Sequence, residues 1–202
     1  NSGIDAVLEV RDRLESGALA RSAFPFLDPG KKLIVVTAHR RESFGDGFES
    51  ICRALRAVAR RSGVQIVYPV HRNPNVAGPV NRNLADIEGI HLIDPLDYVP
   101  FVDLMTRAHL LLTDSGGVQE EGPSLGKPVL VMRGKTERPE AVDAGTAILV
   151  GTDESRIAGE VNRLLDDADA RERMARVHNP YGDGQASRKI AEATLEYFRS
   201  CA

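Results

Sequence analysis

Six short aliphatic runs separated by helical apolar periodicity predict an α/β fold, a parallel sheet covered by helices on both faces. The run before Ser115 is of the fully buried type, and it leads straight into Ser115-Gly116-Gly117 and a helical pattern. Such a strand, glycine turn and helix form a unit that can hold a phosphate. Glycines let backbone approach a ligand, and the first free N–H groups of the helix point toward it.

The elements follow in order. Ile4, Val7, Leu8 and Leu14 share one helical face before Gly17, and residues 18–30, with Pro25, Pro29 and Gly30, form a connector. Strands are expected over residues 32–37, 64–70, 90–93, 109–113, 128–132 and 146–150. Phe48, Ile51, Leu55 and Val58 repeat at three and four residues, residues 101–108 form a short helix, and residues 157–165 carry another apolar face. A last helix spans 184–198 through Ile190, Ala193, Leu195 and Phe198, after the turn-rich NPYGDG of 179–184. Three units result: an N-terminal helix, 1–17, from a preceding domain junction; a nucleotide-binding domain, 18–184; and a C-terminal helix, 185–202, able to pack elsewhere than on this sheet.

At 202 residues and 42% hydrophobic, the chain can bury a sizeable core. Its 26 basic and 29 acidic residues are well mixed, leaving a net charge of −3 and no basic field for nonspecific nucleic-acid binding. No apolar run approaches the roughly 18 residues of a membrane span. Two cysteines, Cys52 in a helical pattern and Cys201 at the terminus, argue against a disulfide framework and a cysteine metal site, and suit a reducing compartment. The chain starts at Asn1 without a signal core, which reads as a piece of a longer protein.

In open α/β sheets ligands lie beyond the carboxyl ends of the strands, and here those positions are polar. The first strand is followed by His39-Arg40-Arg41-Glu42-Ser43, the second by His71-Arg72-Asn73-Pro74-Asn75, the fourth by Asp114 to Gly117, and the fifth by Arg133 and then Thr136 to Glu140. They compose a cationic edge rich in hydrogen-bonding groups. His39 admits a catalytic, phosphate-binding or structural role, and adjacent Arg40 and Arg41 suit a diphosphate. His71 belongs to a rigid loop that shapes the pocket. The two histidines lack a third ligand, which disfavours a metal. Glu120 and Glu121 stand about 100° apart on a helix, so one at most faces a ligand, where a carboxylate accepts from a ribose diol. Arg138 either forms a surface ion pair or turns into the pocket, with Arg133 its nearest competitor, and Pro139 suits the first turn of a short helix.

Six segments, in this order, resemble the non-hydrolysing UDP-N-acetylglucosamine 2-epimerases: TAHRRESFG (37–45), YPVHRNPN (68–75), TDSGGVQEE (113–121), PVLVMR (128–133), TERPE (136–140) and NPYGDGQA (179–186). The resemblance covers the chain from about Gly3 to the last helix. It implies the C-terminal, Rossmann-like half of a two-domain GT-B fold whose active site lies between the halves. It places uridine near Phe101, the ribose hydroxyls on Glu121, and the diphosphate on Ser115, Gly116, Gly117 and Arg138. Arg40 and His71 join the substrate-binding set, and His39 stands beside the reacting sugar as the catalytic residue of this half. Leu96 occupies a position near the base that often carries glutamine.

The reaction so implied inverts carbon 2 of the sugar without a cofactor, by elimination and re-addition of UDP. The family's catalytic acids lie in the other half, so this segment alone is expected to bind UDP and turn over poorly or not at all. The resemblance also implies a cytoplasmic homodimer serving cell-envelope polysaccharide biosynthesis. Two alternatives stay open: the nucleotide half of a GT-B glycosyltransferase, and a nucleotide-sugar-binding module without catalysis.

Overall fold

The computed structural model describes residues 1–200, so Cys201 lies outside the described residues. Among these, six strands, β1 (Lys32–Thr37), β2 (Val64–Pro69), β3 (Ile90–Ile93), β4 (Leu110–Thr113), β5 (Val129–Val131) and β6 (Ala147–Leu149), form one parallel sheet ordered β3-β2-β1-β4-β5-β6. Each matches an expected run. This is the doubly wound Rossmann order, in which the winding reverses between the first and fourth strands. The register pairs Ile34 with Leu110 and Thr37 with Thr113, so β1 and β4 end level with each other.

Among the described residues, nine α-helices accompany the sheet: α1 (Ser2–Glu15), α2 (Asp46–Ala59), α3 (Pro74–Leu84), α4 (Tyr98–Arg107), α5 (Gly116–Ser124), α6 (Pro139–Asp143), α7 (Glu154–Asp166), α8 (Ala168–Arg176) and α9 (Ala186–Ser200). Alternation along the strands sends side chains to two separate cores. Ile34, Val36, Leu110 and Leu112 meet Phe48, Ile51 and Leu55 of α2, Val76 and Val80 of α3, and Ile157 and Val161 of α7. Leu33, Val35 and Leu111 meet Val7 and Leu14 of α1, Val102 and Met105 of α4, and Val118 of α5. With both faces covered, truncating one interior strand residue such as Ile34 to Ala costs about 2–5 kcal/mol.

Two helices depart from the expected pattern. Helix α3 stands where a loop alone is expected after the second strand. Its Val76, Val80 and Leu84 are buried at four-residue spacing, but Gly78, Pro79 and three asparagines dilute the signal, and Asn73 caps it by accepting from Asn75 N–H at 3.0 Å. Helix α8 buries only Ala170 and Met174, so its apolar face is too narrow to stand out from the charged residues around it.

Helix α9 buries no residue, and Ile190, Leu195, Tyr197 and Phe198 are exposed on it. It is anchored at its start by Asp5 of α1, whose carboxylate accepts the backbone N–H groups of Ala186 and Ser187 at 3.0 and 2.6 Å. These bonds hold Asp5 below the usual carboxylate range.

Candidate functional site

The chemistry-bearing segments converge where β1 and β4 end. There the hydroxyls of Thr37 and Thr113 meet at 2.6 Å, and Thr113 Oγ1 accepts the backbone N–H of Ser115 at 2.9 Å, which turns the chain from β4 into α5. Helix α5 begins at Gly116 with Ser115 as its N-cap residue, and the Ser115 side chain makes no capping bond to its own helix. The hydroxyl and the first helical N–H groups are thus left for an anion. Gly116 is buried and Gly117 exposed. A Cβ at Gly117 would meet only Ser115 Oγ, at 3.8 Å, so a side chain there would project beside that hydroxyl. Gly122, one helical surface round, has a different use. A Cβ there would stand 2.7 Å from Val129 Cγ2 and 2.8 Å from Leu111 Cδ1, so glycine lets α5 lie close on the sheet.

A cavity of about 180 Å³ opens beside this turn, lined among others by His39, His71, Pro95, Phe101, Ser115 and Val118. Four expected site residues, spread over more than seventy residues of sequence, therefore face one space. A larger hollow of about 430 Å³ lies around Lys31, Arg60, Gly63 and Gly89, at the ends where β1 and β2 begin, away from these groups. Location at the switch point, not volume, marks the site.

His39 is half-buried and stacks on His71, with ring centroids 5.5 Å apart and planes 22° apart. Burial is the main influence lowering its pKa; Asp114 opposes it, while His71 and Arg40 add to it. Burial thus favours the neutral ring. His71 Nδ1 accepts the backbone N–H of Asn73 at 3.1 Å, which fits a loop that shapes the pocket. Arg40 reaches toward the start of α5: its Nη2 lies 3.5 Å from Glu137 Oε1, and its buried Nε has no acceptor. Glu137 Oε1 would itself lie 3.0 Å from a Cβ at Gly116, so its carboxylate sits over the helix N-terminus.

The two glutamates of α5 diverge. Glu121 is turned toward α4, where the Tyr98 hydroxyl donates to it at 3.3 Å, and burial pushes its pKa up. Tyr98 in turn is pushed up to about 12 by burial and by that carboxylate. Glu120 pairs with Arg138 and also accepts from the Asn1 side chain. Arg138 is thus ion-paired beside α5 and not with a sequence neighbour, while Arg133 is occupied by Glu42, at 2.6 Å, and by Glu137. Leu96 packs with the α1–α4–α5 core, so its side chain offers apolar contact only.

Residues that the sequence names only within motifs, without a role of their own, tie the site together. Buried Gln119 donates to Ser115 O at 3.1 Å and accepts from Thr136 Oγ1 at 2.5 Å, and Thr136 Oγ1 accepts from Arg138 N–H at 3.0 Å. Asn179 donates to Glu120 O at 2.8 Å and Ser124 Oγ at 2.5 Å, while the Tyr181 hydroxyl accepts from Ala141 N–H at 3.1 Å. The NPYGDG turn therefore staples α5 to α6. Asp114 joins them, its carboxylate accepting the backbone N–H groups of His39 and Arg40. Buried Cys52, with its thiol pushed up to about 12 by burial, is no nucleophile. No three of His, Cys, Asp and Glu gather as a metal site among the described residues, and none of the described helices is long and apolar enough to cross a membrane.

A parallel sheet in this order, with a glycine-opened helix at its switch point, defines a Rossmann-type unit of the kind that makes one half of a GT-B fold. A family model described as UDP-N-acetylglucosamine 2-epimerase matches residues 1–195, and the chain belongs to that family. It is 61% identical over 198 residues to the UDP-N-acetylglucosamine 2-epimerase of Escherichia coli K12, covering 96% of this chain and 53% of that protein. Among solved structures, UDP-GlcNAc 2-epimerase from Neisseria meningitidis bound to UDP-GlcNAc superposes with a TM-score of 0.89 at 44% identity, covering 96% of this chain and 53% of the other. The Methanocaldococcus jannaschii enzyme in complex with UDP-GlcNAc and UDP gives 0.77 at 26%, covering 97% and 53%. The chain spans about half the length of the curated relatives it matches.

Proposed function

We propose that this chain is the UDP-gripping half of an enzyme that interconverts UDP-N-acetylglucosamine and UDP-N-acetylmannosamine. The observation that carries the reading is the cavity beyond β1 and β4, where His39, His71, Phe101 and Ser115 meet at the start of α5. Relatives solved with UDP-GlcNAc and UDP support the ligand. In this reading Phe101 flanks the uracil, Glu121 accepts from the ribose hydroxyls, and the diphosphate rests on Ser115, Gly116 and Gly117. Arg40 and Arg138 supply positive charge as their carboxylate partners yield to the ligand.

The reaction proceeds by elimination. A base takes the proton from carbon 2 as the bond from carbon 1 to UDP breaks, leaving an unsaturated sugar and UDP. Protonation of carbon 2 from the other face and re-addition of UDP at carbon 1 complete the inversion. His39 stands beside the sugar and the leaving diphosphate. The remaining acid–base groups belong to a second Rossmann-like half of the same polypeptide, a reading supported by coverage of about half of each relative. The exposed Ile190, Leu195, Tyr197 and Phe198 of α9 fit a helix that packs toward that half, with residues 1–17 at the junction and 18–184 as the nucleotide domain. We further assign a cytoplasmic homodimer, with the product entering cell-envelope polysaccharide synthesis.

Calorimetric titration of UDP into the chain tests the reading. One-site binding is expected, with uridine and inorganic diphosphate each weaker; absence of UDP binding would contradict it. Robust epimerisation by these 202 residues alone would refute the need for a second half.

A further inference from the structure

Asp114 follows the last residue of β4 and is completely buried. Its Oδ2 accepts the backbone N–H groups of His39 and Arg40, both at 2.7 Å, which fastens the end of β1 to β4. Its Oδ1 has no hydrogen-bond partner, although no solvent reaches it, and lies 3.5 Å from Nδ1 of His39. An unpartnered buried carboxylate oxygen is costly, and the nearest group able to relieve it is that ring nitrogen.

We propose that Asp114 is a positioning residue for His39, its Oδ1 receiving the Nδ1–H of the imidazole and so fixing the tautomer in which Nε2 offers its lone pair to the cavity. The role in turnover rests on the reading of His39 given above, whereas the geometry stands without it. A neutral imidazole has two tautomers, and which nitrogen carries the proton is decided by the bond the other makes. The groups around this ring leave one candidate for that decision. His71 lies against its face, and Arg40, its neighbour in sequence, has only donors, so neither is placed to accept from Nδ1. Asp114 Oδ1 brings an acceptor to the Nδ1 edge. The 3.5 Å separation is at the outer limit of a hydrogen bond, and bonds of this kind tighten when a ligand closes the site.

The same geometry says what Asp114→Asn does. Two backbone N–H groups converge on the Oδ2 position, so the amide oxygen must sit there, and the NH2 group is forced against His39 Nδ1. A donor then meets Nδ1, and the ring must carry its proton on Nε2.

Long-range ¹H–¹⁵N NMR of the His39 imidazole in this chain, at a pH where the ring is neutral, tests the proposal. The native chain is expected to show protonated Nδ1 and unprotonated Nε2. In Asp114→Asn the tautomer is expected to invert and the midpoint of His39 protonation to fall by about one pH unit. A native ring protonated on Nε2 overturns the proposal whether or not the variant folds. So does a folded Asp114→Asn with tautomer and titration unchanged, which would leave Asp114 as a cap of the β1 end. Loss of the UDP reading in calorimetry would leave the tautomer result standing, so the two failures are separable.

Discussion

Thr136 donates its hydroxyl to the buried Gln119 side chain at 2.5 Å, joining the helix that opens at Ser115 to the loop that carries Arg138. Gln119 also donates to Ser115 O at 3.1 Å, so one side chain sets the spacing between the glycine turn and the arginine loop. Gln119→Leu keeps the approximate volume but strands the Thr136 hydroxyl. We expect a loss of about 1–3 kcal/mol in urea unfolding. A variant as stable as the native chain would show that the link carries no load.

Glu121 separates stability from function. Burial raises its pKa, so the fold favours the neutral acid, and its contribution to stability is lost as pH rises through the folded value. Glu121→Gln should therefore melt higher than the native chain near pH 7. UDP affinity should fall in the same variant and, in Glu121→Ala, drop about tenfold or more through loss of charged hydrogen bonds to the ribose. Calorimetry and thermal melts together check this; affinity unchanged in both variants would remove Glu121 from the site.

Two glycines of α5 predict opposite phenotypes. Gly117→Val adds bulk where only Ser115 Oγ is near, so it should block diphosphate while leaving the melting temperature close to native. Gly122→Ala drives a methyl into Val129 and Leu111 and should cost about 1–3 kcal/mol with UDP affinity of the folded fraction little changed. Equal stability losses in the two variants would contradict the assignment.

His39, His91 and His109 all have pKa values lowered first by burial. A depressed histidine contributes stability that is present above its unfolded pKa of about 6.5 and lost as pH falls through the folded value. Urea midpoints should decline on acidification below about pH 6.5, with protons taken up on unfolding, and His109→Asn should flatten that decline. A midpoint rising toward acid would reverse the sign and reject the account.

The six strands are legible because each is a compact aliphatic run, buried on both faces in the four interior strands β2, β1, β4 and β5, and the start of α5 because Ser115-Gly116-Gly117 interrupts such a run. Helix α3 is harder to see although Val76, Val80 and Leu84 keep a helical spacing, since Gly78 and Pro79 in its middle argue for a turn. His39, His71 and Ser115 could be listed from their place after strands, and Phe101 from the resemblance, yet the pairing of these segments could not. Asp114 reaches His39 across 75 residues and Thr136 reaches Gln119 across 17, through loops whose course depends on the closed sheet. Arg138 shows the same limit. Its sequence neighbours suggest Glu137 as partner, whereas the fold delivers Glu120.

The central claim is that UDP seats its diphosphate on the opening of α5 at the β1–β4 switch point. Backbone amide NMR of this chain during a UDP titration tests it most directly. The account predicts that the largest shifts fall on Ser115, Gly116, Gly117 and Val118, with His39 and Phe101 following. Shifts centred instead on Lys31, Gly63 and Gly89, at the opposite end of the sheet, would contradict it.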